Sequence, residues 1–278
     1  EFRDELYEHY GGPEAVETGW VSNTLFEPHI GNIILTKMVD AEKNITRFHG
    51  YRVVDVLVED NKVVGAVFEN DDKIKLTVRA DITIDATELG DVLALSGANY
   101  FIGQDSGERT GEPGAPDKAT DIIQDLTFCA ILKDYGEDAD KTIAKPEGYD
   151  PSVFDCTCLE LCSDTAVDVV DCDRMLEYGK LPNGKYMINW PIKGNDYYIN
   201  LIEMSYDERE KNLQAAKNFT LQWVYFIQTE GGYKNLGLAD DEFPTDDNMP
   251  LIPYHRESRR LDGLVHLRTL DLVNPYTT

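Results

Sequence analysis

The sequence ADITIDATELGD, residues 80–91, decides the fold predicted for this chain. Ile82 and Ile84 are β-branched and alternate with polar residues, which predicts a short strand. Small and acidic residues follow and lead into an apolar VLAL run, which predicts the start of a helix. Gly90 permits close approach of the backbone to a ligand, and the Asp91 side chain is able to cap the helix. The pattern fits an ordinary strand-to-helix turn. It also fits a ligand-binding loop, because open α/β sheets bind dinucleotides at the carboxyl ends of their strands.

The residues before this stretch predict a helix followed by an antiparallel meander. Pro28 suits the first position of a helix, and apolar residues recur behind it at three- and four-residue steps until about residue 44. The apolar period then changes to two, with turns at residues 59–61 and 70–72, which predicts three strands before Ile82. This order favours an α/β fold in which the strand at residue 82 joins a parallel sheet.

Composition limits the size of the fold and its partners. The 278 residues are 42% hydrophobic, enough for a sizeable core in one large or two modest domains. They carry 26 Lys and Arg against 52 Asp and Glu, a net charge of −26. Nucleic acid and anionic membrane surfaces repel such a chain, so neither is expected as a partner. No apolar run is long enough to predict a membrane span.

The chain has five cysteines: Cys129, Cys156, Cys158, Cys162 and Cys172. The C-x-C-x-x-x-C arrangement lacks paired C-x-x-C spacing and has no histidine nearby, so scattered free thiols are predicted and no metal ligand is assigned. Free thiols slightly favour a reducing compartment, although an extracytoplasmic location also fits the sequence. The acidic runs 137–140 and 164–173 lack calcium-binding spacing and are interpreted as solvated faces.

The second part of the chain is predicted to be rich in strands and to contain one long helix. Residues 103–116 are rich in Gly, Pro and charge and predict a loop able to close over a ligand. Strands are predicted over three segments: 126–132, 186–190 and 197–204. A Gly-Asn-Asp turn is expected to join the last two as a hairpin. Ser205 and Glu208 then have the spacing of a capping box, which predicts the long helix.

The most basic local stretch is LIPYHRESRRL, residues 251–261. It concentrates the donors that a carboxylate substrate needs, so Arg256 and Arg259 are the preferred ligand contacts. His255 is a candidate proton donor, and Arg260 is assigned a structural role. A basic helix end, or ion pairs with the acidic remainder of the chain, would explain the same residues equally well.

Taken in order, these motifs resemble those of known flavoproteins. The helix, the meander, the strand and the loop at residues 84–91 resemble the second half of the FAD-binding domain of glutathione-reductase-like flavoproteins. More specifically, ordered segments over nearly the whole chain resemble the bacterial FAD-dependent oxidoreductases: 84–97, 100–103, 110–113, 127–128, 188–191, 195–196, 225–230 and 253–261.

This resemblance implies an α/β fold with a β-rich second part. Residues 1–97 would be the remnant of an FAD-binding domain, and residues 98–278 most of a substrate or cap domain. The implied reaction is transfer of a hydride from a small-molecule substrate to flavin, with FAD as the cofactor. The arginine-rich segment would face the reaction chamber, with His255, Arg256 and Arg259 as its catalytic residues. The loop positions implied to face the cofactor are Ala86, Thr87, Glu88, Gly90 and Asp91.

The sequence also departs from the family pattern. Family members begin with a strand, a Gly-x-Gly-x-x-Gly turn and a helix, and they close with a glycine-rich segment near the flavin. Neither segment is found here, so we expect a fragment that lacks both ends of its cofactor site and binds FAD poorly. Two other functions fit the residues: a non-redox module that binds a sugar or peptide, and an inactive structural core.

Overall fold

The computed structural model describes residues 1–164 and 167–273, in which helices and strands are mixed along the chain. The α-helices are α1 Phe2–Tyr10, α2 Pro28–Ala41, α3 Asp91–Leu95, α4 Gly107–Thr110, α5 Cys172–Leu176, α6 Tyr206–Thr229 and α7 Thr269–Val273. The strands are β1 Tyr51–Glu59, β2 Lys62–Asn70, β3 Lys75–Arg79, β4 Tyr100–Phe101, β5 Leu126–Thr127, β6 Ile131–Asp134, β7 Lys180–Leu181, β8 Lys185–Met187, β9 Asp196–Tyr197, β10 Leu236–Leu238 and β11 Arg260–Leu261.

The strands form small sheets. β1, β2 and β3 make a three-stranded meander, and four other strands pair in the order β10-β6-β8-β7. Two-stranded sheets are formed by β4 with β11 and by β5 with β9. All these pairings are antiparallel, so the predicted parallel sheet is not found among the described residues.

The chain divides into two compact units, each built from three segments. Unit 1 contains Glu1–Ile45, Asp125–Tyr198 and Ser205–Tyr254. Unit 2 contains Thr46–Gln124, Ile199–Met204 and His255–Thr278. The boundary expected at residue 97 lies inside unit 2. The assignment of a flavin part to residues 1–97 and a substrate part to residues 98–278 stays a prediction.

The two N-terminal helices of unit 1 follow the sequence pattern. α1 ends at Gly11, whose φ of 91° is the left-handed conformation that glycine adopts readily. α2 begins with Pro28, as predicted, because proline at this position loses no intrahelical hydrogen bond. Leu6, Ile30 and Ile34 are buried together between the helices. The three- and four-residue spacing of Ile30, Ile34 and Met38 thus produces a buried face, whereas Ile33, which belongs to the same predicted set, is 57% exposed.

The meander of unit 2 is confirmed. Asp60 and Asn61 have φ values of 49° and 59°, the conformation of a tight hairpin turn between β1 and β2. Gly65 on β2 is needed for close pairing, because a Cβ there would lie 2.2 Å from the Val78 carbonyl oxygen. Val56 and Ala66 are buried on one face of this sheet. The period of two therefore predicted the strands and their order, although Val58 and Val78 of the alternating apolar set are exposed.

The strand predicted at Ile82 and Ile84 is wrong. The backbone N–H of Ala80 still bonds to the Val64 carbonyl oxygen (3.1 Å), but the chain then leaves the sheet. Ile82 is 79% exposed and Ile84 is 84% exposed, and neither lies in a strand. β-branched residues become a strand only where a neighbouring strand accepts and donates hydrogen bonds, and no described residue supplies that neighbour here.

The long helix α6 contributes much of the buried core of unit 1. Ser205 and Glu208 cap each other's backbone N–H groups, so the predicted capping box is confirmed. Trp223 is 1% exposed, and its indole Nε1 donates to the Thr157 hydroxyl (3.0 Å). Trp190 Nε1 donates to the carbonyl of the same threonine (2.8 Å). The two indoles thus bury their apolar surface while both polar groups remain satisfied.

The hairpin predicted around Asn195 is wrong, because β8 and β9 belong to different sheets. Asn195 is fully buried, and its amide donates to the carbonyl oxygens of Phe128 (3.1 Å) and Ile188 (3.2 Å). Its Oδ1 accepts from the backbone N–H of Trp190 (3.0 Å). The Asn195 amide thus satisfies three buried backbone groups and holds its loop in the core. The predicted turn assumed an exposed asparagine, which favours turns.

Two other predicted segments are more irregular than expected. The strand over 126–132 is interrupted between β5 and β6, where the Ala130 N–H donates to the Phe128 carbonyl (2.9 Å) in a tight turn. The loop 103–116 contains the short helix α4, which Ser106 caps by accepting from the Arg109 N–H. Among the described helices, none combines the length and apolar character that a membrane crossing requires.

Four of the cysteines are paired, so the prediction of scattered free thiols is wrong. Cys156 pairs with Cys162, and Cys158 pairs with Cys172. Short 3₁₀ turns at Pro151–Phe154 and Leu159–Leu161 fold this segment back on itself, which sequence spacing alone does not reveal. Disulfides are typical of oxidising compartments, so cysteine usage no longer favours a reducing one. Residues 165 and 166 of the predicted acidic face lie outside the described residues.

Candidate functional site

The loop between β3 and α3, in unit 2, is held by the carboxylate of Asp85. Asp85 Oδ1 accepts from the backbone N–H of Thr87 (3.0 Å) and from its hydroxyl (2.7 Å), and Oδ2 accepts from the Leu93 N–H (2.8 Å). The Thr87 hydroxyl in turn accepts from the Asp91 N–H (2.7 Å). Asp85 and Thr87 therefore satisfy the first N–H groups of α3, a role that the sequence had assigned to Asp91.

The prediction that Asp91 caps the helix is wrong, because Gly90 occupies the N-cap position and Asp91 is the first helical residue. Gly90 has φ 68° and ψ 45°, the left-handed region that other residues adopt at a cost. A Cβ at Gly90 would lie 3.3 Å from the Cβ of Arg259. Conformation and close approach together explain why glycine is needed here.

The hydrogen bonds of Asp85 also keep its carboxylate charged. Partial burial alone would raise the pKa of Asp85, since it removes water from the charged form. The hydrogen bonds donated by Thr87 and Leu93 outweigh that effect and hold the pKa of Asp85 below its ordinary value. The loop is thus organised around the charged carboxylate of Asp85, which accepts hydrogen bonds and donates none.

The outer edge of this loop is open. The side chains of Ala86 and Glu88 are exposed. Within the part of the chain that the structure describes, the backbone N–H groups of Ala86 and Glu88 donate to no acceptor. A rigid loop that presents two N–H donors and a small side chain is able to bind a flat polar ligand through backbone hydrogen bonds.

Arg259 clamps the inner side of the loop to the segment 199–204. Its side chain is 5% exposed, and its guanidinium donates to the carbonyl oxygens of Leu89 (2.7 Å) and Ile202 (2.5 Å). The same group pairs with Asp91 (3.2 Å) and Glu203 (2.9 Å). These contacts neutralise its charge and fix two segments of unit 2 against each other.

One donor of this guanidinium is not used. Arg259 Nε is buried and has no hydrogen-bond partner among the described residues. The ring of Tyr100 lies 5.2 Å from the guanidinium carbon, and the Tyr100 hydroxyl donates to Glu203 (3.1 Å). Burial alone would lower the pKa of Arg259, but Tyr100 and Glu203 raise it above the ordinary value. The buried Nε therefore lacks a hydrogen bond, which offsets part of the stabilisation that the other Arg259 contacts provide.

The other predicted site residues lie in the same unit. His255 and Arg256 are half-buried, and their predicted roles in catalysis stay predictions. Arg260 pairs with Glu257 (2.8 Å) and Asp105 (3.3 Å). Arg260, which the sequence assigned a structural role, lines a cavity of about 630 Å³.

The cavity includes residues that the sequence reasoning missed. Arg109 lines it, pairs with Asp105 (2.5 Å) and lies over the ring of Phe101, 3.3 Å from the centroid. His266 also lines it, within 3.3 Å of the Arg109 guanidinium. The only sequence signal for this cavity was the Gly- and Pro-rich loop 103–116, which supplies Arg109 and much of the wall.

The fold and the loop are compatible with one class of protein, and a family match shows that class. Mixed helices and strands with small antiparallel sheets, and a glycine-containing loop that enters a helix with open N–H donors, are compatible with an α/β FAD-binding domain. The family model described as FAD dependent oxidoreductase matches residues 1–277, and the chain belongs to this family. The protein is a flavoprotein oxidoreductase whose cofactor is FAD. Comparison with curated proteins and with solved structures gave no significant match.

The residues of the loop fit a flavin. A flavin ring offers carbonyl oxygens and ring nitrogens that accept hydrogen bonds, and the N–H groups of Ala86 and Glu88 are open donors. The small side chain of Ala86 leaves room beside these donors. The Thr87 hydroxyl and the Asp91 backbone N–H form hydrogen bonds inside the loop, and the Asp91 carboxylate pairs with Arg259, so both residues would act by holding the shape of the loop.

Proposed function

We propose that this protein oxidises a small-molecule substrate by passing a hydride to FAD, with residues 86–91 against the flavin. The observation that supports this most is the rigid loop whose outer edge carries open N–H donors at Ala86 and Glu88. FAD, when bound, supplies the hydride acceptor, and the protein supplies binding and orientation. Gly90 allows the backbone to approach, while Asp85 and Thr87 keep the loop from rearranging.

In this proposal Arg259 is a positioning residue. Its guanidinium is already paired with two carboxylates and two carbonyls, so it has little charge left for a substrate. Its role is to hold the loop at the distance that a flat ring requires. His255 is the proposed proton donor or acceptor, since a histidine side chain changes its protonation near neutral pH.

The proposed substrate is a small molecule that carries a carboxylate. Arg256 is the contact proposed from sequence. Arg109, Arg260 and Arg268 line a cavity in the same unit, and each already pairs with a carboxylate, so a substrate carboxylate would bind there by sharing or displacing those ion pairs. Guanidinium groups bind carboxylates in a bidentate manner, which suits recognition of a planar anion. A volume of about 630 Å³ is in the usual range for small-molecule sites.

An FAD titration of the chain tests the loop contact. Flavin absorbance at about 350 to 500 nm is recorded while FAD is added to the unaltered chain, to Ala86→Glu and to the matched control Ala80→Glu. Both alanines are exposed and both lie on the same segment, so each variant adds one exposed carboxylate. We expect Ala86→Glu to weaken FAD binding by about tenfold or more, because the added carboxylate blocks the donors, while Ala80→Glu changes it by less than about twofold.

Equal effects of the two variants would refute the contact between this loop and the flavin. The same titration measures whether the chain binds FAD weakly, as the sequence predicted. Anaerobic bleaching of bound flavin by candidate carboxylate substrates then tests hydride transfer, and Arg256→Lys tests the proposed substrate contact through a raised KM at unchanged flavin content.

A further inference from the structure

A second polar site lies in unit 1, centred on His29 at the start of α2. His29 Nδ1 lies 2.9 Å from Glu242 Oε2, and the His29 backbone N–H donates to the same oxygen (3.1 Å). Glu242 has a side chain with no exposed surface, while the His29 side chain is 32% exposed. One buried carboxylate oxygen thus fixes both the backbone and the ring of a partly exposed histidine.

This pairing sets the tautomer of the imidazole. An ionised carboxylate only accepts hydrogen bonds, so Nδ1 must carry the proton in the neutral ring. The other ring nitrogen, Nε2, is then left with a lone pair and acts as an acceptor. The same arrangement of carboxylate and histidine is used wherever a protein needs a directed imidazole.

Lys185 is the cationic partner of Glu242. The Lys185 ammonium lies 2.5 Å from Glu242 Oε1, 2.7 Å from Glu27 and 2.9 Å from Asp241, and the lysine is 3% exposed. Burial alone would lower the pKa of Lys185, but the hydrogen bonds to these carboxylates raise it well above the ordinary value. A permanently charged ammonium is therefore built into the base of the site.

The same ammonium argues against a metal ion. Glu27, His29 and Glu242 offer ligand atoms within 4.8 Å of one another, which is the spacing of a metal site. Lys185, however, already supplies the positive charge between the two glutamates, at distances that leave no space for a second cation. The cluster is a satisfied ion-pair network in which the His29 imidazole and the Asp241 carboxylate are partly exposed.

His29 borders a cavity of about 640 Å³ in unit 1. The apolar residues of the lining are Pro28, Phe243, Pro244, Pro250, Leu251 and Ile252. The polar residues are His29, Asn32, Asp241 and Glu242. An apolar wall with a few convergent polar groups is the usual composition of a small-molecule site. Among the described lining residues the carboxylates are those of Asp241 and Glu242, both paired with Lys185, and no lysine or arginine faces the cavity, so it offers an anion no cationic partner.

We propose that this cavity binds a neutral aromatic molecule that donates one hydroxyl hydrogen to His29 Nε2, as a phenol does. The ring would pack on the proline and phenylalanine wall, and the imidazole would accept the hydroxyl hydrogen. This site lies in unit 1, whereas the flavin-facing loop and its cavity lie in unit 2, so it does not depend on the proposed function.

The first test uses the unaltered chain and ring-nitrogen NMR of His29, assigned by its loss in His29→Phe. In the neutral ring, the ¹⁵N shifts distinguish the two tautomers, because the protonated and the unprotonated nitrogen resonate apart. We expect protonated Nδ1 and unprotonated Nε2. Addition of 4-methylphenol should move the Nε2 signal, and a ring protonated at Nε2 would overturn the proposal.

The second test compares ligands that differ only in the donor. 4-Methylanisole has the ring of 4-methylphenol but a methyl ether in place of the hydroxyl, and benzoate carries a negative charge. One lost neutral hydrogen bond corresponds to about three- to tenfold weaker binding of the ether, and we expect no binding of benzoate. Equal affinity of phenol and ether, or no shift of the His29 signals with either, would refute the site.

A variant tests the role of the carboxylate as a positioning residue. Glu242→Gln leaves Lys185 with Glu27 and Asp241, and it allows the imidazole to protonate Nε2 instead. We expect the tautomer signal to reverse and the affinity for 4-methylphenol to fall by about three- to tenfold. An unchanged tautomer in the folded variant would refute this role. Should the variant fail to fold, the ligand comparison on the unaltered chain still decides the proposal.

Discussion

Arg259→Met should loosen the loop at residues 85–91 and destabilise unit 2. Methionine keeps most of the apolar stem but removes every guanidinium donor. The carbonyl oxygens of Leu89 and Ile202 then lose their donors, and both residues are buried, with 7% and 0% exposure. The effect is expected mainly from these two oxygens, because water cannot replace the arginine there.

The size of the effect follows from burial. A buried acceptor without a donor costs about 1–3 kcal/mol, so the two carbonyls dominate. Asp91 and Glu203 are 31% and 61% exposed, so water solvates them once the arginine is gone and their lost pairs add at most about 1 kcal/mol each. The variant also removes the unsatisfied Arg259 Nε, which recovers part of the lost stability. The expected net decrease in the free energy of unfolding is about 2–4 kcal/mol.

Urea unfolding measures this loss, with Arg79→Met as the matched control. Arg79 is 63% exposed and makes one ion pair with Glu59 in the same unit, so its removal should change the free energy of unfolding by less than about 1 kcal/mol. Hydrogen exchange at the Asp91 N–H should also become faster in Arg259→Met, because its acceptor, Thr87, lies in the loosened loop. A loss in Arg259→Met no larger than in the control would refute the clamp.

Four further predictions concern other parts of the chain. Gly90→Ala should lower the free energy of unfolding by about 1–2 kcal/mol, from its left-handed φ of 68°, and should weaken FAD binding; urea unfolding and FAD titration measure both. Thiol titration of the denatured, unreduced chain should find one thiol, that of Cys129, and five after reduction. Asp85 has a lowered pKa in the folded chain, so its stabilisation is complete above the unfolded value of about 3.9 and is lost as the pH falls through the lower folded value. Urea midpoints between about pH 5 and about pH 2 should therefore fall less in Asp85→Asn than in the unaltered chain. Lys185→Met should cost about 3–5 kcal/mol in urea unfolding because it leaves two buried glutamates unpaired, and the more exposed Lys133→Met should cost about 1 kcal/mol or less.

Sequence predicted the parts of the fold that local interactions decide. The capping box of Ser205 and Glu208 requires only residues three positions apart, and the meander requires only neighbouring strands. The strand predicted at Ile82 was wrong because a strand forms only beside a neighbouring strand, and the local sequence pattern does not show whether one is present. The hairpin predicted at Asn195 was wrong for a related reason, since the buried amide of this residue donates a hydrogen bond to Phe128, 67 residues away.

The candidate site shows the same limit. Glycine at position 90 and the loop around it were predicted, because small residues before a helix are a local signal. The clamp from Arg259 joins residues 170 positions apart, and the pair of His29 and Glu242 joins residues 213 apart. Sequence pattern contains no signal for either contact, since both depend on which segments the fold brings together.

The segmented composition of the two units has a consequence for synthesis on the ribosome. Unit 1 is complete only when Tyr254 has been made, and the last segment of unit 2 begins at His255. At about 5–20 residues per second, the 170 residues between Leu89 and Arg259 take about 10–30 s to translate. Throughout that time the loop lacks the hydrogen bond from Arg259 to the Leu89 carbonyl. The nascent chain should therefore depend on chaperones until Arg259 has left the exit tunnel.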